Sequence, residues 1–483
     1  MLTLEATARG LYQVVYNSRA LYSQYNIESG VKKLLPPPSE HTLYLIASPL
    51  LGYGLKEWLA KLPAGSYALA YEAEPQLTQI THQHFAGWQT SQVTLLNSIE
   101  YNSLNKTLFN LYNYNFKEVV MLKINGGYYL KQTIYDNLFI FLQQLLQQQT
   151  HNRLLLKRNA KRWLKNTINN FSSIKSFVKP QFDDKPLIIA AAGLSLDEAI
   201  PSLKKYRPYY HLLAVDTAFL PLQAHSLNPD ALFILEGGFY NSYDFIGHKN
   251  FTAPVISDLA SYAPLLHNLP APKSFFVTNI APVTLFKRLS LALQLPLLPP
   301  LGNVAMAAIT YALQYSNASI ILCGFDFCYS LSRLHAKAAY SHSNDLITNH
   351  RLNRGHLTTT TLNRPLLCAQ IAGQSYLSDE VLLSYYHILA KLKNERLFSW
   401  QESGLPLNLP LFNRQNLKTK ANLTWQEVEV DLTSFKENEI ENLKLFLKNQ
   451  VFTDKLDYLL LEAQNTANLA QLASYYLKLW QQS

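Results

Sequence analysis

The stretch that decides the fold is LIIAAAGLSLD, residues 187–197. An unbroken apolar run from Leu187 passes through three alanines to Gly193, and Ser195 then opens the helical pattern Leu196–Lys205. A short run apolar on both faces, then a glycine, then a helix reads as the start of a βαβ unit in a parallel sheet. Outward from it the same rhythm continues through Leu212–Val215, Leu232–Leu235, Pro254–Ile256, Phe275–Thr278 and Ile320–Leu322, with a helix pattern at Val304–Tyr315. These runs predict a central α/β domain over 180–350. Upstream, Leu43–Ala47, Tyr67–Tyr71, Val93–Leu96 and Val119–Leu122 predict a second Rossmann-like domain over 1–150, its first turn carrying Gly52 and Gly54. Glu72 ends the second run there, where nucleotide-binding units hold a ribose. Two glycines are a weak fingerprint, so a tight turn in a domain without ligand is the plainer reading. From 351 to 483 helical patterns dominate: Ser378-Asp379-Glu380 opens Val381–Leu392, Ser434 and Glu437 read as a capping box before Ile440–Leu447, and a last helix is expected from Lys455 to Trp480. The fold class is α/β, two Rossmann-like parallel-sheet domains followed by a helical region.

Composition narrows the function classes. Of 483 residues, 48% are hydrophobic and 16% charged, which suits globular domains with large cores. The net charge of +9 suits an anionic partner such as a nucleotide. Three cysteines, Cys323, Cys328 and Cys368, make neither a disulfide framework nor a zinc pair. With no signal-peptide pattern and no apolar stretch long enough to span a bilayer, a cytoplasmic protein is expected. Residues 151–179 hold a basic helix with Arg153, Lys157, Arg158, Lys161, Arg162 and Lys165 on it. It lacks the aromatic repeat of single-strand binders, so it reads as a linker helix, not a nucleic-acid site.

The chemistry is expected at the strand ends of the central domain. Gly193, Leu194, Ser195 and Leu196 form a strand-to-helix turn whose N–H groups suit a phosphate, although Ser195 could simply cap the helix. Asp216 and Thr217 end the second run, Glu236 the third, and Gly324 and Asp326 the last; Gly302 and Asn303 open a helix. A lone strand-end carboxylate is more often a cap than a ligand. Three of them, Asp216, Glu236 and Asp326, on one sheet edge would make a site.

Taken in order, the Gly193-Leu-Ser-Leu turn, Ala214-Val-Asp-Thr-Ala218, Asn228-Pro-Asp230, Gly302-Asn-Val-Ala305 and Cys323-Gly-Phe-Asp326 followed by His335-Ala-Lys337 resemble the central domain of Maf-type (motor accessory factor) flagellin glycosyltransferases. That domain is also described as 6-hydroxymethylpterin-pyrophosphokinase-like (MptE-like). The resemblance extends over about residues 20–405: Leu21 to Gly30 resembles an N-terminal family segment, Leu51-Gly-Tyr-Gly54 its Gly turn, and Trp163, Asn166 and Asn170 its pre-domain helix. Departures are Leu194 where the family has Pro, Glu236-Gly237 where it has Asp-Pro, and Ala338 or Ala339 where it has Gly.

The resemblance implies transfer of a nonulosonic (sialic-acid-like) sugar from a CMP-activated donor to Ser or Thr of flagellin. On that reading the 193–196 turn, Asp216, Thr217, Gly302, Asn303, Gly324 and Lys337 hold the nucleotide sugar. Glu236 or Asp326 faces the oxocarbenium-like transition state, and His335 serves the acceptor hydroxyl or the departing phosphate. No metal and no cofactor are expected beyond the donor substrate. The rivals are a pterin-type pyrophosphokinase using ATP and Mg²⁺, with Asp216, Glu236 and Asp326 as ligands, and a non-catalytic flagellin-binding accessory factor.

Overall fold

The computed structural model describes residues 2–8, 10–100, 104, 107, 111, 116–247, 251–281, 283–300, 302–348, 361–392, 394–450, 452–462 and 467–482, with the side chains of 145, 147–155 and 157 left aside. The chain divides into two units, Met1–Leu155 and Leu156–Ser483, and the helix Gln132–Ser173 runs from the first into the second.

The first unit opens with an antiparallel meander of β1 (Leu2–Ala6), β2 (Tyr12–Tyr16) and β3 (Arg19–Ala20). A parallel sheet follows from β4 (Thr42–Ala47), β5 (Tyr67–Tyr71), β6 (Val93–Leu95) and β7 (Glu118–Leu122), in the order β6-β5-β4-β7. Period-2 alternation divides the side chains of β4. Tyr44 and Ile46 enter one core with Trp58 and Leu77, while Leu43 and Leu45 enter another with Leu69 and Leu138. The Gly52 turn is filled from within, because the Trp88 indole lies where a Cβ on Gly52 would project. Glu72 is 5% exposed, and its carboxylate accepts from Ser48 Oγ at 2.7 Å and from Tyr135 Oη at 3.2 Å. Burial raises its pKa. This acid ties the ends of β4 and β5 to the long helix.

In the second unit β8 (Ser176–Gln181) precedes an eight-stranded parallel sheet. Its strands are β9 (Leu187–Ala190), β10 (His211–Val215), β11 (Ala231–Ile234), β12 (Val255–Asp258), β13 (Lys273–Thr278), β14 (Leu297–Leu298) and β15 (Ile320–Cys323), with one more from the C-terminal region. That region supplies the hairpin β16 (Leu366–Ile371) and β17 (Gln374–Asp379), the sheet strand β18 (Leu397–Ser399), and β19 (Thr424–Glu429), which pairs antiparallel with β8. The order β14-β13-β12-β11-β10-β9-β15-β18 means that the chain steps outward from β9 to β14, then crosses back. The switch point is the β9/β15 boundary. Every residue of β9, β11 and β15 is buried, which explains why these strands read as continuous apolar runs.

The expected C-terminal helices are present as Glu380–Lys391, Thr433–Asn449 and Ala467–Gln482. Two local expectations change. Ser434 does not cap: the helix starts at Thr433, whose N–H is held by Asp431 Oδ1 at 3.0 Å. The expected helix from Lys455 is instead a 3₁₀ segment, Asp454–Leu461, followed after 463–466, which lie outside the described residues, by the helix from Ala467. The segment is pinned to its neighbour, since the Asp457 carboxylate accepts the Thr284 N–H at 2.7 Å.

Candidate functional site

Parallel strands bring their carboxyl ends to one edge, so the strand-end residues meet there. At the switch point β9 and β15 close on each other. Gly193 N–H donates to the Gly324 carbonyl at 2.9 Å, and Ala191 N–H to the Cys323 carbonyl at 2.8 Å. A Cβ on Gly193 would overlap the Gly324 carbonyl oxygen and the Asp326 carboxylate. Gly324 has φ +76°, and its Cβ would overlap the Ala191 carbonyl oxygen. Both glycines are thus demanded by backbone approach.

Asp326 reaches across this closure. Its Oδ2 accepts from Ser195 N–H at 2.7 Å and its Oδ1 from Ser403 Oγ at 3.0 Å, with the residue 2% exposed. A carboxylate 131 residues away, not the Ser195 hydroxyl, therefore satisfies the start of the helix Leu196–Tyr206. Ser195 Oγ is buried with no hydrogen-bond partner. Leu196 is fully buried in the core, and Leu194 is half-buried. Segment 401–405 closes the crevice from above: Gln401 Nε2 donates to the Ser195 carbonyl at 2.8 Å, and Leu405 N–H to the Asp326 carbonyl at 2.9 Å. A phosphate at this turn would face a buried carboxylate.

The strand next to β9 carries the second acid. Asp216, at the end of β10, accepts from Thr217 N–H at 2.8 Å through Oδ1 and from Asn241 Nδ2 at 2.8 Å through Oδ2. Asn241 Nδ2 also lies 3.4 Å from Asp244 Oδ2. Burial, with the charge of Glu236 adding, pushes Asp216 up to about 6. Burial, with the charge of Asp216 adding, pushes Asp244 up to about 7. Thr217 is half-buried beside them. Glu236, at the end of β11, is exposed and accepts Gly238 N–H at 2.7 Å. The structure thus joins Asp216 and Glu236, and sets Asp326 apart on the far side of β9. Asn241 and Asp244, in the 3₁₀ segment Phe239–Phe245, carry no periodic signal in the sequence. Asp258, the buried end of β12, whose carboxylate accepts from Ala260 N–H and Thr278 Oγ1, is a strand-end acid like Asp216 and is legible by the same rule, though it is not among the residues expected above.

The long helix holds this edge from behind. Asn166 Nδ2 donates to the carbonyls of Gly237 at 2.9 Å and Ala260 at 3.0 Å, and Asn170 Nδ2 to those of Leu259 and Ser261, both at 2.8 Å. Leu164, Ile168 and Phe171 of the same helix lie in the core. This helix face is an anchor for the ends of β11 and β12, and Arg162 lies beside Gly238.

Beyond β15 the segment 329–342 carries the third group. His335 Nδ1 lies 3.0 Å from Ser341 Oγ, and burial, with the positive charge of Arg364 adding, pushes its pKa down to about 4. Its imidazole is therefore neutral at neutral pH. Lys337 N–H donates to Asp197 Oδ1 at 2.9 Å while its side chain is exposed, and Arg333 pairs with the same Asp197. Arg364, which no sequence motif marks, lies 3.5 Å from Asp379 Oδ2 and donates to Tyr329 Oη at 3.2 Å. Tyr340 stacks on Tyr243, centroids 4.6 Å apart and planes 19° apart, which seats this segment against the Asp244 turn. Gly302 has φ +82° and is covered by the Tyr385 ring, whose hydroxyl donates to its carbonyl at 2.8 Å; Asn303 Oδ1 caps its helix through Met306 N–H at 2.7 Å. Among the described residues no group of three or more His, Cys, Asp and Glu is arranged to hold a metal ion. Nor is any helix among them long and apolar enough to cross a membrane.

Comparison with known proteins gives the fold its context. Residues 158–331 match the family model described as 6-hydroxymethylpterin diphosphokinase MptE-like, so the chain carries an MptE-like domain. An uncharacterized protein of Treponema pallidum (strain Nichols) is 28% identical over 344 residues, covering 68% of this chain and 59% of that relative's length. The match therefore spans little more than half of the relative. The Maf glycosyltransferase from Magnetospirillum magneticum AMB-1 aligns in structure over 99% of this chain and 86% of its own, with a TM-score of 0.60 at 13% identity. That likeness is one of fold.

Proposed function

We propose that the chain is a glycosyltransferase that moves a nonulosonic sugar from a CMP-activated donor to Ser or Thr hydroxyls of flagellin in the cytoplasm. The observation that carries this reading is that the Tyr243–Tyr340 stack seats the segment of His335 and Lys337 against the Asp216–Asn241–Asp244 group at the strand ends. The whole-length fold match to a glycosyltransferase supports it. Transfer needs a group that meets the charge growing on the departing phosphate, and a neutral imidazole can do so by donating a hydrogen bond. With Nδ1 turned to Ser341, His335 has Nε2 left for that donation. Glu236 is the exposed carboxylate that can stabilise the oxocarbenium-like carbon. Asp326 and the 193–196 turn frame the edge, and the nucleotide is assigned to the half-buried Thr217 and the exposed Lys337.

Thermal-shift screening with CMP, a CMP-sugar, and ATP with Mg²⁺ tests the reading. Ligand at 100 Kd stabilises by about 2.7 kcal/mol, so CMP and CMP-sugar are expected to raise the melting midpoint. Sugar transfer is expected to persist in EDTA. The match of 158–331 to a diphosphokinase-like model favours a second reading, diphosphate transfer from ATP. Stabilisation by ATP with Mg²⁺ alone, with activity abolished by EDTA, would move the assignment there. Flagellin binding without response to any of these ligands would leave an accessory factor.

A further inference from the structure

We propose that Asp244 takes the proton of the acceptor hydroxyl, with Asn241 and Asp216 as the residues that position it. This rests on the transferase reading above. Three observations carry it. Asp216 and Asp244 share one amide donor, Asn241 Nδ2, at 2.8 and 3.4 Å, so their carboxylates are held in one fixed relation. Asn241 itself is 4% exposed, and its Oδ1 has no hydrogen-bond partner. A buried carbonyl oxygen without a donor is costly, which marks Asn241 as held for its amide's sake and not for its own packing. Of the two carboxylates, Asp216 is sealed at 3% exposed while Asp244 is only partly buried, so Asp244 is the one an incoming hydroxyl can reach.

Placement agrees. Tyr243, adjacent to Asp244, stacks on Tyr340, and Tyr340 precedes Ser341, the partner of His335. One ring pair thereby joins the segment that carries Asp244 to the segment that carries Ser341 and His335. The negative charges facing Asp244 are those of Asp216 and, through it, Glu236. With these neighbours Asp244 ionises near neutral pH, where a base works best.

The step balances. A lone pair of the acceptor oxygen forms the new bond to the anomeric carbon, and its proton passes to an Asp244 carboxylate oxygen. The bond from the anomeric carbon to the phosphate oxygen breaks, and its electron pair leaves on CMP. Asp244 then returns the proton to water.

The test uses the full chain, CMP–sialic acid as donor probe and flagellin as acceptor, with transfer followed from pH 5 to 9 and CMP binding measured separately. Wild-type kcat is expected to rise with pH through about 7. D244N, which keeps the shape, should lose about 10²-fold in kcat and that pH limb, with CMP affinity unchanged. N241A removes a hydrogen bond that favours ionised Asp244, so its limb should move to higher pH, a change a merely structural role would not give. Wild-type kcat and pH profile in D244N, or equal loss of CMP binding and kcat, would overturn the inference alone. Absence of transfer by the wild-type chain would overturn the transferase reading and this inference together.

Discussion

Gly324→Val is expected to destabilise the second unit by roughly 2–6 kcal/mol, seen as a melting midpoint roughly 5–15 °C lower or as loss of soluble protein. Two penalties add. Gly324 has φ +76°, where a β-branched residue is strained by about 1–3 kcal/mol. Its new side chain would also overlap the Ala191 carbonyl oxygen, backbone that is paired with β15 and cannot give way. Gly373→Val separates the terms, because Gly373 has φ +77° with nothing near its Cβ position. Equal midpoints for the two variants would refute the close-approach account. The same geometry changes the meaning of Gly193→Val. The sequence alone predicts lost nucleotide binding in an intact fold, whereas the Cβ overlap with the Gly324 carbonyl predicts damage to the fold itself.

His335→Ala is expected to lower sugar transfer by about 10²–10³-fold, the scale for losing one donor to a developing oxyanion. Stability should fall by only about 1 kcal/mol, since the Ser341 hydrogen bond is the polar contact removed. The imidazole, held down at about 4 by burial and Arg364, is neutral across the working range. The transfer rate should therefore show no limb near 6.5 that disappears in this variant. Stability carries its own signature. A histidine whose folded pKa lies below its unfolded value of about 6.5 contributes stability above pH 6.5, and loses it as pH falls toward 4. Wild-type midpoints should accordingly drop faster than those of His335→Ala below pH 6.5. Near-normal transfer by the variant would remove His335 from the reaction and leave Glu236 as the next candidate.

Much of the frame is legible in one dimension. Strands covered on both faces must be apolar throughout, so Leu187–Ala190, Ala231–Ile234 and Ile320–Cys323 are unbroken runs in the sequence. Asp216 and Glu236 are legible as acids at strand ends, because a parallel sheet sends every such end to one edge. Asn166 and Asn170 are legible only as members of a helix; that they bind the carbonyls of Gly237 and Leu259 depends on contacts 71 and 89 residues apart.

Local order, then, is what the residues determine by themselves: apolar period, glycine turns, and acids where strands stop. Partnership was decided only by the tertiary structure. Asp326 and Asp216 look alike in sequence, each an acid following a buried strand. One caps Ser195 across the switch point at 2% exposure, and the other, at 3%, shares an amide with Asp244 beyond β10. What separates them is which backbone N–H or side-chain amide is brought within about 3 Å by strand order. Hydrogen bonding and desolvation act over that range in space, whatever the separation along the chain, so the roles of these acids emerge only once the sheet has assembled.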